Sequence, residues 1–111
     1  MTTKKNYYWK NPELFRARGR ALYRKHRARW QAERYGMTLD DLRMIQDIVQ
    51  DGLCPVCRLK LEDDTLVVDH DHTTGEVRGL LHKGCNSALG VLKDSPELLD
   101  NGAAYLRGEL P

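Results

Sequence analysis

The spacing of apolar residues predicts two different helices in the first half of the chain. Over Pro12–Arg34 charged helix formers dominate and only Gly19 interrupts them. We therefore expect one long charged helix that makes few packing contacts with the rest of the protein. Over residues 39–50 apolar residues recur at helical spacing, with Thr38 as the N-cap and Gly52 as the stop. The apolar positions of this second helix are Leu42, Ile45, Ile48 and Val49. They predict a helix that packs into the core.

The second half of the chain predicts a strand, a loop, a strand and a helix, followed by one more helix. Short apolar runs at residues 66–68 and 77–81 predict the strands, and residues 72–76 predict the loop between them. Residues 86–92 predict a helix. Ser95 and Pro96 predict the start of the last helix, which Gly108 ends and which we expect to form part of the core. Its apolar stripe consists of Leu98, Leu99, Ala103 and Leu106.

The net charge of +2 conceals a strong asymmetry between the two ends. Residues 1–35 hold 11 Lys or Arg against two acidic residues, whereas the remainder holds 7 basic and 14 acidic residues. Tyr7, Tyr8, Trp9 and Trp30 lie among the basic residues, a pattern typical of nucleic-acid binders. We therefore predict a basic helical DNA-binding arm over residues 1–35, although a solvated basic helix or a disordered tail is the alternative.

Length and composition restrict the class of protein. A chain of 111 residues buries only a small core, and such domains often need a metal or disulfides to stabilise them. No apolar run is long enough for a membrane span and the first ten residues lack the pattern of a signal peptide, so we expect an intracellular protein with no membrane partner. In a reducing compartment its three cysteines are better explained as metal ligands than as disulfides.

The cysteines and one histidine have the spacing of a zinc site. Cys54 and Cys57 form one pair and His82 and Cys85 another, which gives the pattern C-x2-C-x24-H-x2-C. Three thiolates and one imidazole suit a closed tetrahedral site for structural zinc. The separation of 24 residues between the pairs exceeds the usual 15 to 20. Three free thiols with an unrelated histidine are the alternative.

Four residues inside and next to this zinc loop are candidates for catalysis. They are Asp69, His70 and His72 at the end of the first strand, with Asp71 between the two histidines, and Asn86 at the start of the following helix. A carboxylate, an amide oxygen and two histidines can together surround one divalent cation and one water. Singly, such residues more often cap turns or helices. Neighbours on a regular strand point to opposite faces, so Asp69 and His70 can share a site only if the strand ends or bends there.

Three segments resemble one known family. They are CPVC, LVVDHDHTTGEVRGLL and HKGCNSALG, and with YGMTLDDL and DSPELL they are similar to the recombination endonuclease VII family of phage nucleases over about residues 35–106. The family lies in the wider HNH or His-Me finger group. The resemblance implies an α+β fold with a zinc-stapled ββα-metal core over residues 36–111, flanked by helices and preceded by the long basic helix. It also implies that the protein is located in the cytoplasm of a bacterium or of a phage-infected host.

The resemblance implies a role for each candidate residue. His70 would be the general base, His72 would help to hold the scissile phosphate, and Asp69 and Asn86 would bind the catalytic Mg²⁺ or Mn²⁺. The family commonly uses four cysteines for zinc, and His82 stands where one is expected. Some members carry an acidic residue three positions after the Asn, where this chain has Leu89. Arg78 is a candidate phosphate contact, and an ordinary surface arginine is the alternative.

The sequence therefore predicts a metal-dependent DNA endonuclease. Branched DNA such as a Holliday junction is the substrate that the resemblance suggests, and a homodimer is an open question because resolving a junction symmetrically needs two active sites. Two alternatives remain. One is a sequence-tolerant HNH nicking enzyme acting on duplex DNA. The other is a zinc-dependent DNA-binding module without catalysis, in which the basic arm is the function and Asp69 to His72 form a polar strand end.

Overall fold

The chain folds as an α+β structure with four α-helices and one two-stranded sheet over residues 10–110, the part that the computed structural model describes. In chain order the elements are α1 Pro12–Arg34, α2 Leu39–Met44, a π-helical turn Ile45–Val49, β1 Leu66–His70, β2 Val77–His82, α3 Lys83–Val91 and α4 Pro96–Leu106. Within this range no helix is both long enough and apolar enough to cross a membrane. Lys4, Lys5, Tyr7, Tyr8 and Trp9 of the predicted arm lie outside the described residues.

The two strands form an antiparallel hairpin that is regular except at its loop end. Leu66 pairs with His82 and Asp69 with Gly79, but His70 pairs with Val77, so Arg78 is an extra residue on β2. Such a bulge bends the strand and increases its twist locally. The strand run predicted from the sequence is thus confirmed and extends through His70. The sequence indicated that Asp69 and His70 can share a site only if the strand ends or bends there, and the register shift lies between these two residues.

Side chains from neighbouring helices complete the hydrogen bonding of both sheet edges. On the edge of β2, Gln50 Oε1 accepts from the Leu80 amide at 2.8 Å and Gln50 Nε2 donates to the Leu80 carbonyl at 2.9 Å. On the edge of β1, Arg27 Nη2 donates to the Leu66 carbonyl at 2.9 Å, and Gln31 Oε1 accepts from the Val68 amide at 3.2 Å. A sheet of two strands has no interior strand, so these side chains act in place of missing neighbours.

Helix α1 has an exposed first part and an anchored last part. Residues 10–25 are exposed, whereas Arg27, Ala28 and Ala32 are buried against β1 and α2. The expectation that this helix makes few packing contacts is therefore wrong for its last two turns. Alanine has a small side chain, so it lets the helix approach the strand closely without a wide apolar face. The pattern of large apolar residues did not reveal this contact.

The second helix begins as predicted and ends differently. Thr38 accepts from the Asp41 amide and Asp41 accepts from the Thr38 amide, which forms a capping box. The helix then widens into the π-helical turn, so the residues that follow rotate away from regular helical positions. As a result Ile48 and Val49 are 79% and 72% exposed, although they were predicted to be buried. The buried residue of the turn is Gln46.

The last two helices also depart from the expected boundaries and burial. Helix α3 begins at Lys83, directly after β2 and three residues earlier than predicted. Helix α4 is capped by Ser95, whose Oγ accepts from the Leu98 amide, as predicted. However, α4 buries none of its residues, and Leu98 and Leu106 are 40% and 85% exposed, so its expected place in the core is wrong. The stripe exists, but within the described residues no element covers it fully.

The core is small. Its buried apolar members are Ala28, Ala32, Leu42, Cys54, Leu61, Leu66, Val68, Leu80 and Leu81. They come from α1, α2, both strands and the loop that contains Cys54. A core of nine residues, two of them alanines, provides limited hydrophobic stabilisation, so the hydrogen bonds and any metal contribute a large share.

Gly79 tests the importance of the sheet edge. A Cβ at this position would lie 2.8 Å from Gln50 Oε1, so Gly79→Ala should push Gln50 off the Leu80 backbone. We expect a loss of about 1–3 kcal/mol in the free energy of unfolding, measured by urea denaturation. Gly90→Ala is the matched control, because a Cβ there meets nothing within 4 Å, and it should leave stability equal or raise it by about 0.4–1 kcal/mol. In a Gln50→Ala background Gly79→Ala should cost far less; an equal cost in both backgrounds would contradict the contact.

Candidate functional site

The predicted zinc ligands come together in one cluster. The ligand atoms of Cys54, Cys57, His82 and Cys85 all lie within 4.8 Å of one another. Cys54 is buried, Cys57 is exposed and Cys85 is half-buried. The first pair lies in a tight loop, and the second pair spans the junction at which β2 becomes α3. The spacing pattern therefore predicted a real spatial group, which joins three segments of the fold.

Local hydrogen bonds shape the loop that carries the first pair. The Cys54 amide donates to the Leu59 carbonyl at 2.9 Å, and the Arg58 amide donates to the Cys54 carbonyl at 2.8 Å. Arg58 has a positive φ of 63°, which closes the turn after Cys57. This turn brings the two cysteine side chains to the same side of the loop.

The ring of His82 is oriented as a metal ligand. Its Nδ1 lies 3.1 Å from Cys57 Sγ, and its Nε2 lies 2.8 Å from the Lys60 carbonyl oxygen. A carbonyl only accepts, so Nε2 carries the proton and Nδ1 is left with the lone pair that faces the sulfurs. A backbone carbonyl on the far nitrogen is a common way to fix a ligating histidine. His82 thus fits the position of the fourth ligand.

The thiols of the cluster differ in acidity. Burial works against ionisation of Cys54, but hydrogen bonds from the backbone of Cys57, His82 and Val56 outweigh it and lower its pKa to about 6. Burial and the neighbouring sulfurs of Cys54 and Cys57 raise the pKa of Cys85 to about 11. Several thiolates this close repel one another, so a bound dication is needed to hold all three deprotonated. The cluster is compatible with zinc by donor type, number and proximity.

A second group of chemically active side chains surrounds the loop end of the hairpin. Asp69 is 6% exposed, and its carboxylate accepts two hydrogen bonds from Arg78, at 2.8 Å to Oδ2 and at 3.0 Å to Oδ1. Arg78 Nη2 also donates to Asp94 Oδ2 at 3.2 Å. The hydrogen bond to Asp69 is the main cause that raises the pKa of Arg78 above its ordinary value. Arg78 is therefore an exposed arginine that is ion-paired to two carboxylates of this group.

The two histidines are part of the same group. The His70 ring lies between the rings of Tyr35 and His72, with centroid distances of 5.2 Å and 4.7 Å. His72 Nε2 lies 3.7 Å from Asp94 Oδ2. Contacts therefore connect Asp69 to His70 through Arg78, Asp94 and His72. The structure thus brings three of the predicted catalytic residues, Asp69, His70 and His72, to one end of the hairpin.

The fourth predicted catalytic residue, Asn86, lies on the helix that packs against the hairpin and is not joined to this group by a hydrogen bond among the described residues. Asn86 is half-buried on α3, one residue after Cys85, and α3 contacts both strands. Among the described residues its side chain makes no hydrogen bond to Asp69 or to the histidines. Leu89, one turn further on, packs against the core, so that position adds no ligand.

Asp71 has a structural task. Its Oδ1 accepts from the amides of Thr73 and Thr74, at 2.7 Å and 3.0 Å, and these bonds lower the pKa of its carboxyl group. The Asp71 amide and carbonyl also close the loop by bonding Glu76 and Gly75. Asp71 therefore shapes the loop that follows His70 and connects β1 to β2.

Sequence reasoning missed two members of the group. Tyr35 follows α1 and Asp94 follows α3, so both lie at helix ends far from the hairpin in sequence. Tyr35 belongs to no ligand pattern, and Asp94 precedes a Ser-Pro helix start that accounts for it locally. Only the packing of α1 and α3 around the hairpin brings these two residues to His70 and Arg78.

Comparison with known proteins identifies the family. A sequence model described as recombination endonuclease VII matches residues 28–108, which is well over half of the chain. The chain belongs to the recombination endonuclease VII family. This assignment confirms the resemblance predicted from the sequence and implies a nuclease domain. The matched range includes the anchored end of α1, the metal cluster and the hairpin.

Two phage proteins are similar to this endonuclease VII family chain. The Gene 59 protein of Mycobacterium phage D29 is 43% identical over 75 residues, which are 66% of this chain and 45% of the relative. The Gene 59 protein of Mycobacterium phage L5 is 42% identical over 74 residues, 65% of this chain and 44% of the relative. The matched part thus spans less than half the length of these relatives. No solved structure matches the chain.

His82 provides a matched test of the metal cluster. We expect about one zinc per chain in protein purified without chelator, measured by elemental analysis. His82→Cys should retain it, because a thiolate replaces the imidazole at the same position, whereas His82→Ala should lose most of it and lower the thermal midpoint. Equal zinc contents in His82→Ala and wild type would show that the cluster is not the zinc site.

Proposed function

We propose that the chain is a metal-dependent DNA endonuclease of the HNH or His-Me finger type. The observation that carries the proposal is the contact group at the end of β1, in which Asp69, His70 and His72 lie together beside an arginine. The order of β1, β2 and α3 supports a ββα-metal arrangement. The Cys and His cluster at the junction of β2 and α3 supports a structural zinc that holds the helix against the hairpin.

The proposed general base is His70. Hydrolysis of a phosphodiester needs a group that takes a proton from the attacking water, and histidine is the most frequent side chain in that role. The Tyr35 and His72 rings on either side restrict the orientation of the His70 ring. A fixed orientation keeps the nitrogen directed at one water position. His72, which is exposed, is proposed to contact the scissile phosphate.

Asp69 and Asn86 are proposed to hold the catalytic Mg²⁺ or Mn²⁺. One carboxylate and one amide oxygen are the oxygen donors that these cations prefer, and so few protein donors leave positions for water and phosphate. The low exposure of Asp69 fits this use, because a carboxylate with little access to water attracts a cation more strongly. When bound, the cation would stabilise the charge of the transition state and the departing oxygen.

Helix α1 is proposed as the basic arm that grips DNA, with residues 1–35 as a binding unit and 36–111 as the nuclease domain. Its exposed side chains include Arg20, Arg24, Lys25 and Arg29. The Trp30 and Tyr23 rings are about half exposed beside these charges, with centroids 5.8 Å apart. The buried end of the helix fixes its direction relative to the hairpin.

Branched DNA such as a Holliday junction is the proposed substrate, by resemblance to the family. Resolution of a junction requires two cuts, so the proposal includes a homodimer in the active complex. A measurement of mass in solution with and without a synthetic junction tests this part. Cleavage of linear duplex at the same rate by a monomer would favour the sequence-tolerant nicking enzyme instead.

One observation favours a second candidate, a DNA-binding module without catalysis. Both Asp69 oxygens already bond to Arg78, so the carboxylate has a protein partner. In this case the polar hairpin end would be purely structural. A plasmid-nicking assay with and without Mg²⁺ or Mn²⁺ separates the two candidates, because the module would bind the plasmid and leave it intact.

His70→Ala tests the proposed base. Loss of a general base typically lowers the rate by about 10² to 10⁴, so we expect plasmid nicking at saturating DNA to fall in that range while DNA affinity is retained. His26→Ala, which removes a histidine from α1, is the control and should stay within a few-fold of wild type. Asp69→Ala should instead raise the metal concentration required. Nicking by His70→Ala within a few-fold of wild type would refute the assignment.

The arm is tested by removing positive charge from exposed side chains while the buried residues Arg27, Ala28 and Ala32 are left unchanged. Arg20, Arg24 and Arg29 are exposed, and changing all three to Gln should reduce the slope of log K against log salt by up to about 2.7, since each duplex phosphate contact contributes roughly 0.9. Anisotropy with labelled duplex across a salt series measures the slope. The control changes Arg58, Lys93 and Arg107 to Gln, which removes the same charge elsewhere. Equal slopes for the two triple variants would show that α1 is not the DNA grip.

A further inference from the structure

Arg78 joins two carboxylates that come from different elements. Its Nε and Nη2 bond both oxygens of Asp69 on β1, and the same Nη2 bonds Asp94 between α3 and α4. The Arg78 side chain is 36% exposed, compared with 8% for Asp69 and 22% for Asp94. The Arg78 guanidinium therefore lies between the surface and the buried Asp69 carboxylate, and it also contacts the more accessible Asp94 carboxylate.

A divalent cation and this guanidinium compete for the same oxygens. The proposed function places a cation on Asp69, yet each Asp69 oxygen already accepts a hydrogen bond from Arg78. A guanidinium and a dication at such short range also repel one another. Each Asp69 oxygen has a second lone pair that a cation could use, but the repulsion between the two positive charges favours a shift of Arg78 away from Asp69 when the cation binds.

Asp94 is held where it can keep Arg78 nearby. Asp94 and the preceding Lys93 have φ values of 53° and 57°, in the left-handed region that non-glycine residues rarely adopt. The Asp94 amide donates to the Leu89 carbonyl at 2.8 Å, which ties this strained turn to the end of α3. Strained backbone of this kind is retained where the surrounding structure fixes it, often at functional sites. The result is a carboxylate directed at Arg78 and at His72.

We propose that Arg78 is a displaceable counter-ion of the nuclease site and that Asp94 is the positioning residue that retains it when a cation takes Asp69. This inference rests on the proposed function. Arg78 neutralises a poorly solvated carboxylate and so lowers the cost of keeping it charged. When the cation binds, Arg78 keeps its bond to Asp94, and the N–H groups released from Asp69 become available to a phosphate oxygen. Metal binding and contact with the phosphate are thereby coupled.

The coupling predicts opposite effects of two substitutions on metal affinity. Arg78→Gln removes the competitor, so Mn²⁺ alone should bind about tenfold more tightly, since a hydrogen bond between charged groups is lost from the competing state. Asp94→Asn removes the negative charge of the alternative partner and leaves a weaker acceptor, so Arg78 stays on Asp69 and Mn²⁺ should bind several-fold more weakly. In the Arg78→Gln background, Asp94→Asn should change the affinity less than about twofold, because its effect passes through Arg78.

The experiment measures Mn²⁺ binding to the zinc-loaded protein without DNA, by electron paramagnetic resonance of free Mn²⁺. The four proteins are wild type, Arg78→Gln, Asp94→Asn and the double variant. The control is Arg43→Gln, because Arg43 makes a similar two-bond pair with Asp63, at 2.7 Å for each bond, in another part of the chain. This control should bind Mn²⁺ as wild type does. Far-UV circular dichroism and zinc content establish that each variant is folded.

Cleavage gives a second readout. At saturating DNA, Arg78→Gln should reach its maximal rate at a lower Mn²⁺ concentration than wild type, although that maximum is lower because the phosphate contact is lost. Arg78→Lys keeps the charge and should restore part of the maximal rate. A structural role alone would lower the rate without lowering the Mn²⁺ requirement.

The outcomes separate the inference from the proposed function. Unchanged or weaker Mn²⁺ binding by Arg78→Gln, in protein that still cleaves DNA, would overturn the counter-ion and leave the nuclease intact. An equal effect of Asp94→Asn in both backgrounds would overturn the route through Arg78 and make Asp94 act on the metal directly. Failure of the wild type both to bind Mn²⁺ and to cleave would overturn the proposed function and this inference with it.

Discussion

The direct junction between β2 and α3 is the constraint on which the remainder of the structure depends. His82 is the last residue of β2 and Lys83 the first of α3, so no loop separates the strand from the helix. Two of the four clustered metal-ligand side chains lie within this junction, and the other two come from the loop before β1. A metal at the cluster would fix the angle between strand and helix. That angle determines how far Asn86 lies from the end of β1.

The small sheet explains why polar side chains are so prominent in the fold. Two strands expose two edges, and a core of nine apolar residues is too small to cover them. Gln50 pairs with one edge, while Arg27 and Gln31 pair with the other. These hydrogen bonds hold the hairpin at its two edges, whereas the apolar core packs against one of its faces. The bulge at Arg78 lies where this edge pairing ends, and it is there that the catalytic candidates gather.

Local signals in the sequence predicted the elements and the cluster of three cysteines and one histidine well. The long helix, both helix caps, the hairpin and the four clustered metal-ligand residues follow from short-range patterns such as Thr38 with Asp41 or Cys54 with Cys57. Burial was predicted less well. The π-helical turn exposes Ile48 and Val49, and α1 packs through alanines, because both depend on how elements meet rather than on periodicity. Tyr35 and Asp94 join the site for the same reason.

The basic N-terminal part and the acidic remainder of the chain are joined through the anchored end of α1. The hairpin end combines Asp69, Asp71, Asp94 and Glu76 with Arg78 as its paired cation, so on its own it would repel a phosphate backbone. Under the proposed function, the basic part of α1 would offset this repulsion, provided that it is held at a fixed distance from the hairpin end. Arg27 anchors the last turns of α1 by donating to the Leu66 carbonyl, which withdraws one positive charge from the exposed surface of the helix. The helix has 23 residues and is about 35 Å long, so its exposed first part carries basic residues beyond the anchored turns, and it is this part that the proposed function assigns to the DNA contact.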